Sequence, residues 1–402
     1  MTRALATTPE PFTQDAAIAE LEDIGRWWLT HSPDEHNGGF VGEIGADGSA
    51  VVDADKGLVL HCRLLWFFSE MQRYAGRADY AAAAERAYRF LVQYFEDREH
   101  GGAFWALSAA GGVVSDRKQT YALCFCVYAL AAYYRATSDA EALADARAHL
   151  AVIGERACDR RGGGYVEAFA RDWSPIEDMR LGADDMNAPK TMNTHLHFIE
   201  AATALHRVAP DEYSAIALRD GLELFLGRIV DVSGHLNLYF DADWRSLSQK
   251  VSFGHDIEAS WLLPDAAEVL GDPELVARVR PVALRMAALC LEEGIAADGR
   301  LCQEFDPASG RRDETGVWWV QAEALVGFLH AFRLTREPRY RAAVDGVWRF
   351  IRDRLIDRVV GEWRWSVPDA ANHYLAGFWK GPYHNGRAML ESIRLLENPG
   401  TA

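Results

Sequence analysis

Apolar positions recur at helical spacing in runs over 15–29, 58–74, 80–95, 120–135, 140–157, 194–208, 215–230, 256–270, 273–292, 317–334, 340–354 and 384–396. No long β-branched run accompanies them, which excludes the parallel sheet of a Rossmann or TIM architecture. Short glycine-and-aromatic segments punctuate the runs at Gly38-Gly39-Phe40, Gly101-Gly102, Gly162-Gly163-Gly164-Tyr165, Gly234-His235-Leu236, Gly299-Arg300-Leu301 and Gly361-Glu362-Trp363. These marks stand about 61 to 72 residues apart, a period that holds two helices and a short hairpin. Twelve helices in six pairs predict one all-α (α/α)6 barrel over the whole chain, with residues 1–14 as a flexible tail.

The two helices of a pair differ in character. The first after each mark opens on large polar or aromatic groups: Arg63 and Trp66; Tyr121; His195 and His197; His255 and Glu258; Trp318, Trp319, Gln321 and Glu323; His384, Asn385 and Arg387. The second is rich in Ala, Arg and Glu, as a surface helix is. The first helices are therefore expected to be inner, with their N-terminal ends converging on one mouth where a ligand binds.

A net charge of −17 without a Lys/Arg-rich run argues against nucleic acid and anionic membrane as partners and leaves a neutral or cationic small molecule. The first residues lack the apolar core of a signal peptide, and no apolar run has the length of a membrane span, so a cytoplasmic protein is expected, monomeric or weakly dimeric. Six cysteines without a C-x-x-C pair fit buried, reduced thiols, with no disulfide and no cysteine-held zinc.

Chemistry concentrates in Ser252-Phe253-Gly254-His255-Asp256-Ile257-Glu258-Ala259-Ser260-Trp261. His255 and Glu258, three apart, share a helix face, and an imidazole beside a carboxylate is a proton-transfer device. The plain structural alternative is a capping histidine, a solvated carboxylate and a core indole. His195 and His197, two apart, lie on different helix faces and cannot chelate one metal from a regular helix; one should face the cavity while the other packs. Pro382-Tyr383-His384-Asn385-Gly386-Arg387 delivers a further imidazole with an amide and a guanidinium.

The segments Lys190-Thr191-Met192-Asn193-Thr194-His195-Leu196-His197, Gly254 to Leu263, Trp318-Trp319-Val320-Gln321-Ala322-Glu323-Ala324 and Phe378 to Asn385 closely resemble cellobiose 2-epimerases, within the N-acylglucosamine 2-epimerase superfamily. The resemblance runs from about Gly38 to the C-terminus. It implies the (α/α)6 barrel again, and an inversion at C2 of an aldose without metal or cofactor, through ring opening, proton removal, a cis-enediolate and return of the proton to the other face. By the resemblance, His255 and His384 are the acid/base pair, His197 assists ring opening and Glu258 orients His255. Arg63, Tyr121 and Asn193 match groups around O1, O2 and the oxyanion, Trp318 and Trp379 the aromatic walls, and Asp185 a polar contact to the sugar.

Imidazole, with its ordinary pKa of about 6.5, suits proton transfer in both directions near neutrality. A fixed guanidinium such as Arg63 can stabilise enediolate charge, and indoles offer flat faces to sugar C–H groups. Two departures from the family pattern, His61 in place of Asn and Gly386 in place of Ser, leave open whether a disaccharide or free mannose and glucose is preferred. A glycoside hydrolase working with two of Asp256, Glu258, Glu304 and Glu323, a sugar-binding barrel, and a metal-dependent aldose isomerase are the alternatives.

Overall fold

The helical runs fold where their pattern places them, and the computed structural model describes residues 11–368 and 374–397. The helices are α1 (Gln14–His31), α2 (Leu58–Ala75), α3 (Ala78–Phe90), α4 (Thr120–Thr137), α5 (Ala140–Val152), α6 (Met192–Val208), α7 (Glu212–Leu224), α8 (Phe253–Leu270), α9 (Pro273–Leu289), α10 (Trp318–Thr335), α11 (Pro338–Phe350) and α12 (His384–Glu397). Even-numbered helices pack side by side in chain order as the inner ring, and each is backed by an odd-numbered outer helix. Burial explains the assignment: α4 buries every residue from Thr120 to Val127, whereas α3 buries only a stripe of Tyr80, Ala83, Ala84, Ala87, Tyr88 and Phe90. The result is the (α/α)6 barrel.

The sixth pair joins the two ends of the chain. Helix α1 packs on α12 as its outer partner, while Trp28 donates to Glu362 at 2.6 Å and Trp363 to Glu20 at 2.7 Å. The ring closes where Gly386 of α12 meets α2, so tightly that a Cβ there would lie 2.5 Å from Phe67. Residues 12–14 do not belong to the flexible tail expected over 1–14. Phe12 is fully buried, and its N–H donates to Asp345 at 2.9 Å; residues 1–10 lie outside the described residues.

Each outer helix from α3 to α11 runs into a five-residue π turn, over Leu91–Phe95, Ile153–Ala157, Phe225–Ile229, Cys290–Gly294 and Ile351–Leu355. The sequence runs reach into all five turns, because their apolar residues continue the helical pattern while the hydrogen bonding has already widened. The chain then enters the glycine turn, and a short strand carries it to the next inner helix. In three repeats a buried lysine from that strand reaches back into the turn: Lys56 to Asp34 at 2.8 Å, Lys118 to Asp97 at 2.8 Å and Lys190 to Asp159 at 2.7 Å. At Gly164 (φ +72°) the turn passes so close to the barrel wall that a Cβ would sit 2.5 Å from Trp244. All six cysteines are free, with Cys62 and Cys126 Sγ 3.7 Å apart in the α2–α4 interface. No helix among the described residues is long and apolar enough to cross a membrane.

Candidate active site

The inner helices enter the barrel from equivalent strands, so equal offsets from their starts point the same way. The sixth residue is Arg63 in α2, Phe125 in α4, His197 in α6, Glu258 in α8 and Glu323 in α10, and α12 adds Arg387. All converge on the axis. Arg387, 2 % exposed, donates through one nitrogen to both Glu258 and Glu323 at 2.7 Å and through the other to Glu200 and the Tyr383 hydroxyl. Two imidazoles hang from the same network: His384 Nδ1 lies 2.7 Å from Glu323 and His197 Nδ1 lies 2.8 Å from Glu200. Arg63 donates to the Trp379 carbonyl and, at 3.0 Å, to the Tyr121 hydroxyl. Its guanidinium lies over the rings of Phe125 (4.6 Å) and Tyr383 (4.9 Å).

Above this layer, at the N-terminal ends of the inner helices, a cavity of about 200 Å³ is lined by His255, Asn193, Asp185, Tyr239, Glu304 and Trp319, among others. Asp185 accepts from the Tyr239 hydroxyl at 3.1 Å and from the Gly182 N–H at 2.8 Å. Asn193 Oδ1, Arg63 Nε and Trp318 Nε1 have no partner among the described residues, which leaves polar atoms for a ligand to satisfy. Trp319 packs near two of the candidate histidines, its ring 4.8 Å from His255 and 5.7 Å from His384. It can lie there because residue 254 is glycine: a Cβ would meet the Trp319 ring at 2.4 Å.

Several sequence expectations need correction. Glu258 does not orient His255: its carboxylate is taken by Arg387 at the axis, while His255 Nδ1 pairs with Ser252 Oγ at 2.7 Å. Sharing a helix face was not enough, because a guanidinium from another helix competes for the carboxylate. Trp318 is turned into the wall, its ring 4.3 Å from Trp365, and its neighbour Trp319 faces the cavity. The Trp379 ring lies 5.8 Å from Trp105 and 6.2 Å from Tyr121. Of the H-x-H pair, His197 faces the axis. His195 packs away from it, bonded to the Thr191 carbonyl at 2.6 Å and accepting from the Tyr165 N–H at 2.9 Å. His61 also points outward, 5.3 Å from the Phe90 ring, and Gly386 is a helix-packing position, so neither departure from the family pattern lines the cavity.

Residues that pattern reading missed are tied to the site by contacts across the barrel. Glu200 looked like one more helix carboxylate. Glu167, held by Thr191 and Thr194 hydroxyls at 2.8 and 2.6 Å, lies on a connecting segment and lines the cavity. Only the odd placement of an acid next to a strand–helix junction could have flagged it.

The electrostatics follow from burial. Desolvation pushes His255 and His384 down to about 3, in His384 against the pull of Glu323, and it lowers His197 as well. Burial and the neighbouring Glu323 charge raise Glu258 to about 8. At Glu323 burial also works upward, but the Arg387 guanidinium and the His384 hydrogen bond overcome it and bring the carboxyl down to about 2. Near neutrality, then, the imidazoles are uncharged, Glu258 is protonated, and Arg63 and Arg387 face Glu200 and Glu323, two charges against two. Glu258, Glu323 and His384 offer metal-ligand atoms within 4.8 Å of one another, but Arg387 already fills the space among them with positive charge. A divalent cation does not fit there. The hydrolase alternative loses its carboxylate pair for the same reason: Glu258 and Glu323 share one arginine nitrogen, Asp256 is turned outward onto His235 at 2.6 Å, and Glu304 lies at the rim.

These values shift the pH dependence foreseen from free imidazole. A base that must be neutral is lost as pH falls through its pKa in the folded protein. The acid limb of kcat/KM should therefore lie below pH 6. Ionisation of Glu258, which burial and the Glu323 charge hold well above the ordinary carboxylate range, puts a further anion beside the site, so kcat/KM should also fall on the alkaline side. A pH–rate profile with circular dichroism as a control for folding checks both limbs; an acid limb at 6.5 or above would mean that the imidazoles are solvated.

The family model for N-acylglucosamine 2-epimerase (GlcNAc 2-epimerase) matches residues 38–386, which include every residue of this layer except Arg387. The chain belongs to the N-acylglucosamine 2-epimerase family. Family membership makes it a carbohydrate epimerase, hence an isomerase. Within the family, it is 42 % identical over 372 residues to a cellobiose 2-epimerase of Bacteroides fragilis, covering 91 % of this chain and 95 % of that one. The structure of cellobiose 2-epimerase from Spirochaeta thermophila superposes with a TM-score of 0.88 at 41 % identity, covering 96 % of each chain. A D-mannose isomerase structure, covering 95 % of this chain and 98 % of its own, shares the fold at a TM-score of 0.84 and 18 % identity.

Proposed function

We propose that this epimerase inverts C2 of the reducing-end aldose of a β-1,4-linked disaccharide, cellobiose to glucosyl-mannose and lactose to epilactose, through a cis-enediolate. The observation that carries this reading is the pair His255 and His384, brought from different helices against one indole, Trp319, at 4.8 and 5.7 Å, with the buried guanidinium of Arg63 close by. One histidine removes the C2 proton and the other returns one to the opposite face. Glu323 fixes His384 with Nδ1 engaged, and Ser252 does the same for His255, so each ring has its other nitrogen free for the sugar. Arg63 and the Tyr121 hydroxyl stand where enediolate charge would be met, and burial, by raising the Tyr121 pKa, keeps that hydroxyl a donor. His197, backed by Glu200, assists opening of the pyranose; Asn193 and Asp185 bind hydroxyls; Trp379 and Trp105 offer flat faces at the mouth. No metal or cofactor enters this scheme. A cytoplasmic location and a monomer or weak dimer complete the reading. The outward placement of His61 and Gly386 removes the sequence-level argument against a disaccharide.

Incubation with cellobiose, lactose, mannose and glucose in D2O, followed by NMR, tests it. The epimer should carry deuterium at C2, with ketose as a minor product from reprotonation at C1, and EDTA should not abolish turnover. An unlabelled epimer, free monosaccharides from cellobiose, or turnover confined to mannose and glucose would each replace this reading with one of its alternatives.

A further inference from the structure

The barrel is open at both ends. Opposite the sugar cavity, at the C-terminal ends of α2, α4, α6 and α8, lies a second well of about 100 Å³, lined by Trp66, Tyr128, Ala204 and Trp261 and reaching Glu200 and Arg387 at its base. Those two residues also belong to the axial network that holds His197 and His384. Arg387 turns both terminal nitrogens to carboxylates, but its buried Nε has no acceptor among the described residues. Glu200 is 4 % exposed and holds His197 Nδ1 at 2.8 Å through one oxygen, while its other oxygen accepts from Arg387 and Tyr383. His197 itself is 3 % exposed and is walled by Tyr121 at 5.0 Å and Phe125 at 4.8 Å. Glu200 is the carboxylate that both bonds this imidazole and lines the well at the other end of the barrel.

We propose that the far-end well is a proton port, and that Glu200 relays protons between His197 and water in the well while substrate seals the mouth. The inference rests on the epimerase reading above. A well of this size holds several waters, and a buried N–H without an acceptor gives one of them a fixed partner. The proton count closes as follows. His197 Nε2 takes a proton from the sugar's anomeric hydroxyl, its Nδ1 proton passes to Glu200, and Glu200 releases a proton to a water in the well. As the ring oxygen is protonated from Nε2, a proton returns from the well through Glu200 to Nδ1. His197 ends in its starting tautomer, and nothing is oxidised or reduced. Glu200 acts through His197 and touches no substrate, so it is a positioning and relay residue.

Formate rescue with a plugged well tests this. Glu200→Ala should lower kcat by roughly 10²-fold, the lower end of what a proton-transfer group contributes, with KM little changed. Added formate should restore much of the loss by entering the well. Ala204→Leu, which narrows the well without touching the ion network, should lower kcat, raise the solvent deuterium isotope effect, and abolish formate rescue when combined with Glu200→Ala. Rescue that persists in the plugged double variant would show formate arriving through the mouth and would overturn the port. So would an Ala204→Leu enzyme with wild-type kcat and isotope effect, which decides the matter by itself if Glu200→Ala does not fold. A wild-type enzyme that forms no C2-labelled epimer would instead refute the epimerase reading.

Discussion

Replacing His384 by alanine should lower kcat by roughly 10² to 10⁴, and His255→Ala should do the same, because each removes one of the two groups that must handle a proton at C2. Sugar binding should survive better than turnover. The walls, Trp319, Trp379 and Trp105, remain in both variants, so KM should move by much less than kcat. The two variants should differ in one respect. Removing His384 takes one of three partners from the buried Glu323 carboxylate, leaving Arg387 and the Trp261 indole N–H, whereas removing His255 frees only the Ser252 hydroxyl. His384→Ala should therefore be the less stable of the two. Steady-state kinetics on cellobiose, with thermal unfolding for both variants, checks this. Near-native kcat in either folded variant would dismiss the two-histidine assignment.

The fold was legible because the barrel repeats: six glycine marks at a steady period and twelve helical runs leave little freedom in how the chain closes. What local pattern could not show was which helix face wins a given side chain. Glu258 and His255 share a face by spacing, yet Arg387, 129 residues away in sequence, takes the carboxylate. Trp318 and Trp319 are adjacent and chemically identical, and the second can pack near both histidines only because residue 254 has no side chain. His61 and His197 look equally ready for chemistry. His61 is the fourth residue of α2 and bonds to the Gly57 carbonyl at 2.9 Å as part of the outer packing, whereas His197, sixth in α6, reaches the axis. The site is therefore written in offsets from the helix starts, which a sequence gives only once those starts are known to within a residue. The charge states were not legible at all, since they come from burial and from a guanidinium shared among three helices.

That guanidinium carries the second large effect. Arg387→Met keeps much of the side chain's volume against Trp261 and Tyr383, which lie 4.8 and 4.2 Å from the guanidinium carbon. It removes the positive charge from Glu200, Glu258 and Glu323 together. Breaking a buried ion pair from one side typically destabilises by about 3 to 5 kcal/mol, because a charge is left without compensation. Here the carboxyls can respond by taking up protons. The sign follows from linkage. Glu323 is held below its ordinary range by Arg387, so it contributes stability above the unfolded-state pKa of about 4.5, and that contribution is lost as pH falls through about 2. Without Arg387, burial raises all three carboxyls, and the folded protein binds protons that the unfolded chain gives up. Relative to the native protein, the variant should then be most destabilised at pH 8, and the gap between the two should narrow toward pH 5. His384, no longer opposed by an anionic Glu323, should also lose orientation, so kcat should fall even where the fold holds. Urea unfolding of both proteins at pH 8 and pH 5 measures the difference. A gap that did not narrow at the lower pH would mean that the charges of Glu200 and Glu323 are neutralised by something other than Arg387.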